Sequence, residues 1–434
     1  MARPRKQPAG AQPSLLLPDA APLPEIPVAE QPYPLPTGWK WIYWGNCGNF
    51  IAGNAFKPTL QGKKNLLYPF YKVASLKYSD NEGYLYDTEN SIGKETQERI
   101  KSTIIPEHSI IFAKIGEAIR LNRRGINKTK CCIDNNLIAF IPETVFFRFA
   151  YHWSQSIDLY KYTNATTVPA IRKSDLKKIA FPLPPREEQE RIVARIESLF
   201  ARLDEAREKV DAVAESYETR KAALLHKAFS GELTAKWREE KGVSADWRNV
   251  LFIHVAEVKS NLVDPADFQD FPHIAPDNIE KKTGRLFQYN TIAKDMVTSG
   301  KHRFYPGQIL YSKIRPYLSK VVITDFDGLC SADMYPIEAK ENTKYLWYYM
   351  LSEDFLEQAS TAGSRSVLPK INQKELSRIN IRIPTLPEQE EIVRLLDSLL
   401  ERERQIREAA EQVRERIDLM KKAILARAFR GELG

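Results

Sequence analysis

The residues best placed to do chemistry in this sequence are two clusters of cations. Between Lys281 and Lys320 nine lysines and arginines stand against one acid, Asp295, and between Ile110 and Lys130 six stand against Glu117. The region 36–170 sums to about +6, whereas 243–370 sums to about −1, so the second cluster is a basic face on an otherwise neutral segment. Clustered cations with planar donors among them suit a polyanion. Lys and Arg neutralise phosphates and release counterions, while Arg, Asn and Gln can hydrogen-bond base edges. In the first cluster the candidates for DNA contact are Lys114, Arg120, Asn122, Arg123, Arg124, Lys128 and Lys130, with the loop "RLNRRG" from Arg120 as the best reader. In the second they are Arg285, Lys301, His302, Arg303, Lys313, Arg315 and Lys320. Arg365, in the hydroxyl-rich loop "TAGSRSVLP" from Thr361, is suited to guanine, and "YTNATTVP" from Tyr162 occupies the matching place. For either cluster alone, a solvated loop is the competing reading.

Catalytic constellations are absent from the motifs. "GKKN" at Gly62 lacks the glycine spacing and hydroxyl of a phosphate-cradling loop. Pro276-Asp277 and Glu280-Lys281-Lys282 are two residues apart, too close to form strands that would converge carboxylates on one metal. Neither the glycine-rich loop nor the Asn/Asp-Pro-Pro-aromatic turn of an adenine methyltransferase occurs, and six scattered histidines show no zinc spacing. Cys47, Cys131, Cys132 and Cys330 likewise lack metal spacing and read as structural thiols. Trp347, Tyr348 and Tyr349 read as core. The chain reads as a binder.

Two long helices must position these clusters, because the chain repeats itself. Residues 169–233 align with 369–433 without a gap at about 25 identities in 65 positions, and the copies end in "AFSGEL" and "AFRGEL". Each copy holds a charged stretch without Gly or Pro, predicted helical over about 187–229 and 388–429. Prolines and acids lead in, and Lys or Arg precede Gly231 and Gly431. Steps of three and four predict a coiled-coil seam through Ile196, Leu199, Leu203, Val210 and Val213 on the first helix, and Leu396, Leu399, Ile406, Val413 and Ile417 on the second. Glu403 is the one clear fault. About 43 residues make a rod of about 65 Å, too long to fold back onto a globular region, so the copies are expected to pair antiparallel. Fainter echoes link the globular regions at an offset of 199: "IIFAKI" from Ile110 with "ILYSKI" from Ile309, and Cys131 and Asp134 with Cys330 and Asp333.

The fold class expected is α+β, with two mixed α/β domains separated by two long paired helices in a pseudo-twofold tandem repeat. The boundaries are a disordered Pro-rich tail over 1–34, domains over 35–170 and 243–370, and helical regions over 171–242 and 371–434. No apolar run approaches the roughly 18 residues of a membrane span, and "SLLL" at Ser14 is too short and proline-flanked for a signal-peptide core. The expected location is cytoplasmic.

These residues carry a family resemblance. "FPLPPREEQERI" from Phe181 with "IPTLPEQEEI" from Ile383, the paired "AFxGEL" endings, "YPGQILYSKIRPYL" from Tyr305, "AKIGEAIRLNR" from Ala113 and "IDNN" from Ile133 resemble the specificity subunit of a type I DNA restriction-modification system, from about Leu35 onward. The resemblance implies two target-recognition domains, each reading one half of a split, asymmetric duplex sequence, and helices that set the gap. It also implies recruitment of two methyltransferase subunits and, in complete systems, two restriction subunits. No cofactor belongs to this chain; S-adenosylmethionine, ATP and Mg are expected on the partners. Leu225, Phe229, Leu425 and Phe429 recur at both helix ends, open to two readings: capping of the rod, or packing near the methyltransferase junctions. A structural coiled-coil adaptor with incidental basic loops is the alternative function.

Overall fold

A computed structural model describes residues 23–87, 89–164, 168–362 and 369–433. It divides into two compact units, Met1–Ala206 with Glu415–Gly434, and Arg207–Arg414. Each unit therefore contains a globular body and a stretch of both helical regions.

In the first unit the strands that matter to the site are β1 (Lys40–Tyr43), β2 (Gly48–Ala52), β3 (Ile110–Ala113), β4 (Arg124–Ile126), β5 (Leu137–Pro142) and β6 (Ala180–Leu183). A four-stranded sheet runs in the order β2-β5-β3-β4 with every pair antiparallel. Strands β3 and the first part of β5 are buried on both faces, which is why "IIFA" and "LIAF" are unbroken apolar runs and not alternating ones. Helix α1 (Phe147–Ser156) covers this sheet, setting Trp153 edge-on to Trp44 in the core. Strand β1 pairs antiparallel with β6, Lys40 opposite Leu183. The strand that opens the body is thereby held beside the one that leads into the long helix, which starts directly after Pro184-Pro185 as α2 (Arg186–Glu215).

The second unit repeats the plan. Its strands are β7 (Arg248–Leu251), β8 (Ala256–Val258), β9 (Lys301–Phe304), β10 (Ile309–Ser312), β11 (Val321–Ile323), β12 (Met334–Ala339) and β13 (Asn380–Ile383). The sheet order β8-β12-β10-β11 matches the first unit, and β7 pairs antiparallel with β13 as β1 does with β6. Strand β9 belongs to a further five-stranded sheet. The helices are α3 (Tyr217–Ser230), α4 (Ala235–Lys241), α5 (Thr343–Met350) and α6 (Leu386–Ala428). The helix predicted from about 187 is thus interrupted at Ser216, where the Ser216 hydroxyl donates to the Val213 carbonyl and competes with the helical ladder. Glu388 does stand in the first turn of α6, and there it is buried, ion-paired with Arg238 and accepting from the Thr234 hydroxyl at 2.6 Å.

Both units pair their helical stretches antiparallel. In the second unit Asp211 meets Arg414 at 2.9 Å, Tyr217 lies under Arg407 at 4.7 Å, and Arg220 meets Glu403 at 2.6 Å, partners descending as residue numbers rise. In the first, Asp204 pairs with Lys421, whose ammonium sits 5.1 Å over Phe200. Ile196, Leu396 and Ile417 are buried and Leu199, Leu203, Val210 and Leu399 half-buried, whereas Val213, Ile406 and Val413 are 39 %, 45 % and 39 % exposed, against the predicted seam. The contacting positions on α6 in the second unit are instead Glu403, Arg407, Ala410 and Arg414, still stepping by four and three. Long cationic side chains bury their stems and pair their heads with acids, so the seam position Glu403 is no fault: it is the partner of Arg220.

Two further expectations are corrected. The helix ends do reach the globular bodies: Leu225 and Phe229 are buried against Tyr345 and Tyr349, and Leu425 and Phe429 are buried in the core of the first unit, Phe429 edge-on to Phe149. They are core residues of the bodies, neither rod caps nor a free docking face. The tail expected to be disordered through 34 is packed from Leu23 on. Ile26 is buried, Glu25 bridges to Ile42, and the Tyr33 hydroxyl donates to the Phe429 carbonyl at 3.0 Å. Among the described residues no helix is long and apolar enough to cross a membrane.

Candidate nucleic-acid interface

The basic loops sit at the same place in each unit. After β3 the chain turns at Lys114-Ile115-Gly116. Ile115 bridges Ala170, the Gly116 amide donates to the Pro169 carbonyl at 2.8 Å, and Ile171 donates to the Lys114 carbonyl at 3.0 Å. After β10, Ile314 bridges Lys370, Arg315 donates to the Pro369 carbonyl at 2.7 Å, and Ile371 donates to the Lys313 carbonyl at 2.9 Å. In both units the loop carrying the cations is therefore stitched to the segment that enters the helical region. Gly116 (φ +84) and Arg315 (φ +48) both take left-handed backbone at this corner, which the first unit solves with glycine and the second holds in place by that amide bond.

In the first unit Lys114 shares a hollow of about 410 Å³ with Asn164, Arg172 and Lys173. Arg172 and Lys173 were missed by the sequence reading; the signal was the basic pair directly after the hydroxyl-rich loop. Arg120 lies 4.1 Å over the Tyr160 ring, donates to its hydroxyl at 2.6 Å and pairs with Glu117 at 3.3 Å. This fixes its guanidinium near the same edge. Arg123 is half-buried, while Lys128 and Lys130 are exposed in a separate loop after β4. In the second unit Lys313 sits 5.3 Å over Tyr335, Lys370 pairs with Asp333 at 3.2 Å, and Arg315 is exposed. Arg303 is held against three rings, Tyr305 at 4.8 Å, Phe268 at 5.4 Å and Phe271 at 5.6 Å, which preorganises its guanidinium.

Several predicted contacts are instead interior. Arg124 is 4 % exposed on β4, spends an N–H on the Ile157 carbonyl, and burial pushes its pKa down to about 9. Asn122 donates to the same carbonyl at 3.1 Å and so holds the loop. Lys301 is buried, its ammonium on the Ser299 carbonyl at 2.9 Å, and His302 is buried beside it, where burial lowers its pKa. Lys320 caps the Pro276 carbonyl at 2.7 Å. Lys301 and His302, consecutive on β9 and so on opposite faces of the sheet, are both buried there. Arg285 faces the helices, and Arg365 lies outside the described residues, as does most of its loop. All four cysteines are buried free thiols, and burial raises the pKa of each, which keeps them protonated.

Comparison with known proteins gives a consistent result. The family described as "Type I restriction modification DNA specificity domain" matches residues 36–213 and 257–412. The EcoDI specificity subunit of Escherichia coli is 41 % identical over 320 residues, covering 68 % of this chain and 72 % of that protein. The EcoKI specificity subunit of Escherichia coli K12 is 23 % identical over 317 residues, 67 % of each. In fold, a structure described as the basis of complex assembly and conformational transition of the type I R-M system superposes with a TM-score of 0.70 at 18 % identity, covering 92 % of this chain and 100 % of the other. The HsdS subunit of Thermoanaerobacter tengcongensis gives 0.57 at 19 % identity, over 93 % and 100 %.

Proposed function

Because the chain belongs to the type I restriction-modification DNA specificity family, we propose that it is the sequence-reading, non-catalytic subunit of an adenine-methylating complex in the cytoplasm. Residues 35–170 read one half of a split duplex target and residues 243–370 the other, while the helical regions 171–242 and 371–434 set the gap. The observation that carries this reading is the duplicated corner: Ile115 on Ala170 and Ile314 on Lys370 tie each basic loop to its own helical region. A rod that sets a spacing is useful only if each reading loop is anchored to it. Lys114, Arg120, Arg123, Lys128 and Lys130, with Arg172 and Lys173 added, are the contacts in the first half. Lys313, Arg315 and Arg303 are those in the second. Lys114 and Lys313 occupy equivalent corners and suit phosphates, whereas Arg120 and Arg303, locked by aromatic rings, suit base edges.

Partner subunits supply the chemistry, with S-adenosylmethionine on two methyltransferase subunits and ATP and Mg on two restriction subunits where the system has them. Ile406 and Val413 support such docking. They lie seven residues apart on α6, are exposed, and leave an apolar stripe off the seam.

The test is adenine-methylation mapping of a methylation-free host genome carrying this chain with its candidate methyltransferase. A bipartite motif with a constant gap is expected, and it vanishes when this chain is omitted. Copurifying, soluble partners that leave no motif would refute the reading.

A further inference from the structure

The second unit contains a basic pocket that the reading above does not use. It has a volume of about 240 Å³ and lies between the turn Glu280–Arg285 and the helical residues Tyr217, Lys221 and Arg407. Lys221 is 6 % exposed, yet its ammonium forms no ion pair with a carboxylate among the described residues and donates to the Lys282 carbonyl. Burial lowers its pKa, and Arg285 and Arg407 push in the same direction, against Glu218 and Glu280, which raise it. Arg285 makes no side-chain hydrogen bond or ion pair with the described residues. The Arg407 Nε is buried without a hydrogen-bond partner, its nearest acid oxygen being Glu411 at 3.8 Å, and the Trp347 Nε1 is equally unsatisfied. Two carboxylates also line the space, but both are engaged: Asp397 by Lys344 at 2.8 Å and Tyr348 at 2.7 Å, Glu401 by Arg404. What remains is two buried N–H donors without partners, Arg407 Nε and Trp347 Nε1, facing one hollow beside Lys221 and Arg285, and buried donors left unpaired are costly.

The first unit shows that the fold does not require this. There the matching turn reads Asp80-Asn81-Glu82-Gly83 where the second reads Lys281-Lys282-Thr283-Gly284. Both turns press a glycine with positive φ on an aromatic ring, a Cβ on Gly83 falling 2.2 Å from Tyr151 and one on Gly284 2.2 Å from Trp347. Lys421, the counterpart of Lys221, is paired with Asp204, whose own counterpart is Arg404. The turn over the helices is thus acidic in one unit and basic in the other.

We propose that this pocket of the second unit binds a single phosphate group. Its volume lies below the roughly 300–1,000 Å³ of pockets that enclose whole small ligands, so it suits one phosphate and not an entire nucleotide. Lys221 and the Trp347 indole N–H supply the inner donors, Arg407 the side and the exposed Arg285 the rim. The phosphate comes either from a duplex backbone passing the turn or from free inorganic phosphate, and the site is independent of which bases the loops read.

Two measurements on the full chain separate these sources: thermal unfolding in inorganic phosphate against chloride at equal ionic strength, and duplex affinity against salt. Both are made for wild type, Arg285→Ala and Arg407→Gln, with Lys221→Gln replacing the latter if it does not fold. A backbone phosphate predicts that each variant lowers the slope of log affinity against log salt by about 1. Free phosphate predicts a Tm increase in wild type that both variants lose, with the slope unchanged. No phosphate effect together with unchanged slopes, or an effect of Arg285→Ala alone, overturns the pocket. A lost methylation motif with phosphate binding intact would instead count against the proposed function.

Discussion

At the scale of residues, identical side chains meet opposite fates according to the element that carries them. Arg120 rides on Tyr160 at the surface, and Arg124, four positions on, is sealed beneath the same loop. The joints between bodies and helices are built by such single residues. In the first unit Arg148 and His152 both reach Glu197, and in the second Lys344 and Tyr348 both reach Asp397. Burial opposes the charge on Glu197, but the hydrogen bonds from His152 and Arg148 prevail and hold its carboxyl below the usual range. A carboxyl so depressed contributes stability that is complete above its unfolded-state pKa of about 4.3 and is lost as pH falls through the lower folded value. Glu197→Gln should therefore lower Tm at neutral pH and flatten the acid limb of the Tm–pH curve; an acid limb as steep as wild type would show that the joint contributes nothing there.

Among the elements, the long helices serve two purposes at once. Their middles pair through ion pairs and a cation over a ring, while their last turns complete the globular cores. Phe229 closes the second body and Phe429 the first. Large-to-small changes at such sites cost about 3–5 kcal/mol, so Phe429→Ala should shift the urea unfolding midpoint of the chain strongly. Ile406→Ala, exposed on the same helix, should stay within about 0.5 kcal/mol. Comparable midpoints for the two variants would contradict the assignment of Phe429 to a core. This arrangement couples the long helices to the bodies, since a helix end cannot shift without opening a core.

For the molecule as a whole, duplication is the organising fact. Two units with the same sheet order and the same stitched corner differ in the cations they expose and in the charge of the turn over the helices. Exchange of residues 243–370 for the second domain of a relative should change one half of the methylated motif and preserve the other half and the gap. Methylation mapping of the chimaera checks this, and a motif altered in both halves would end the modular reading.

Sequence alone determined the repeat, the two helical stretches and the mixed α/β character of the bodies, because these depend on periodicity, on proline and glycine at element ends, and on duplicated residues. It also located the corners Lys114 and Lys313, since duplicated residues mark duplicated structure. What it could not determine was which way a side chain faces once strands pair. Arg124 and Lys301 look as exposed in a string as Lys128 does, and only the sheet and its neighbours decide that they are buried. The seam went the same way: Val213, Ile406 and Val413 satisfy an apolar template, but antiparallel pairing chose Arg220 with Glu403 and Arg407 over Tyr217. A contact energy belongs to two residues distant in the chain, and neither one carries it alone.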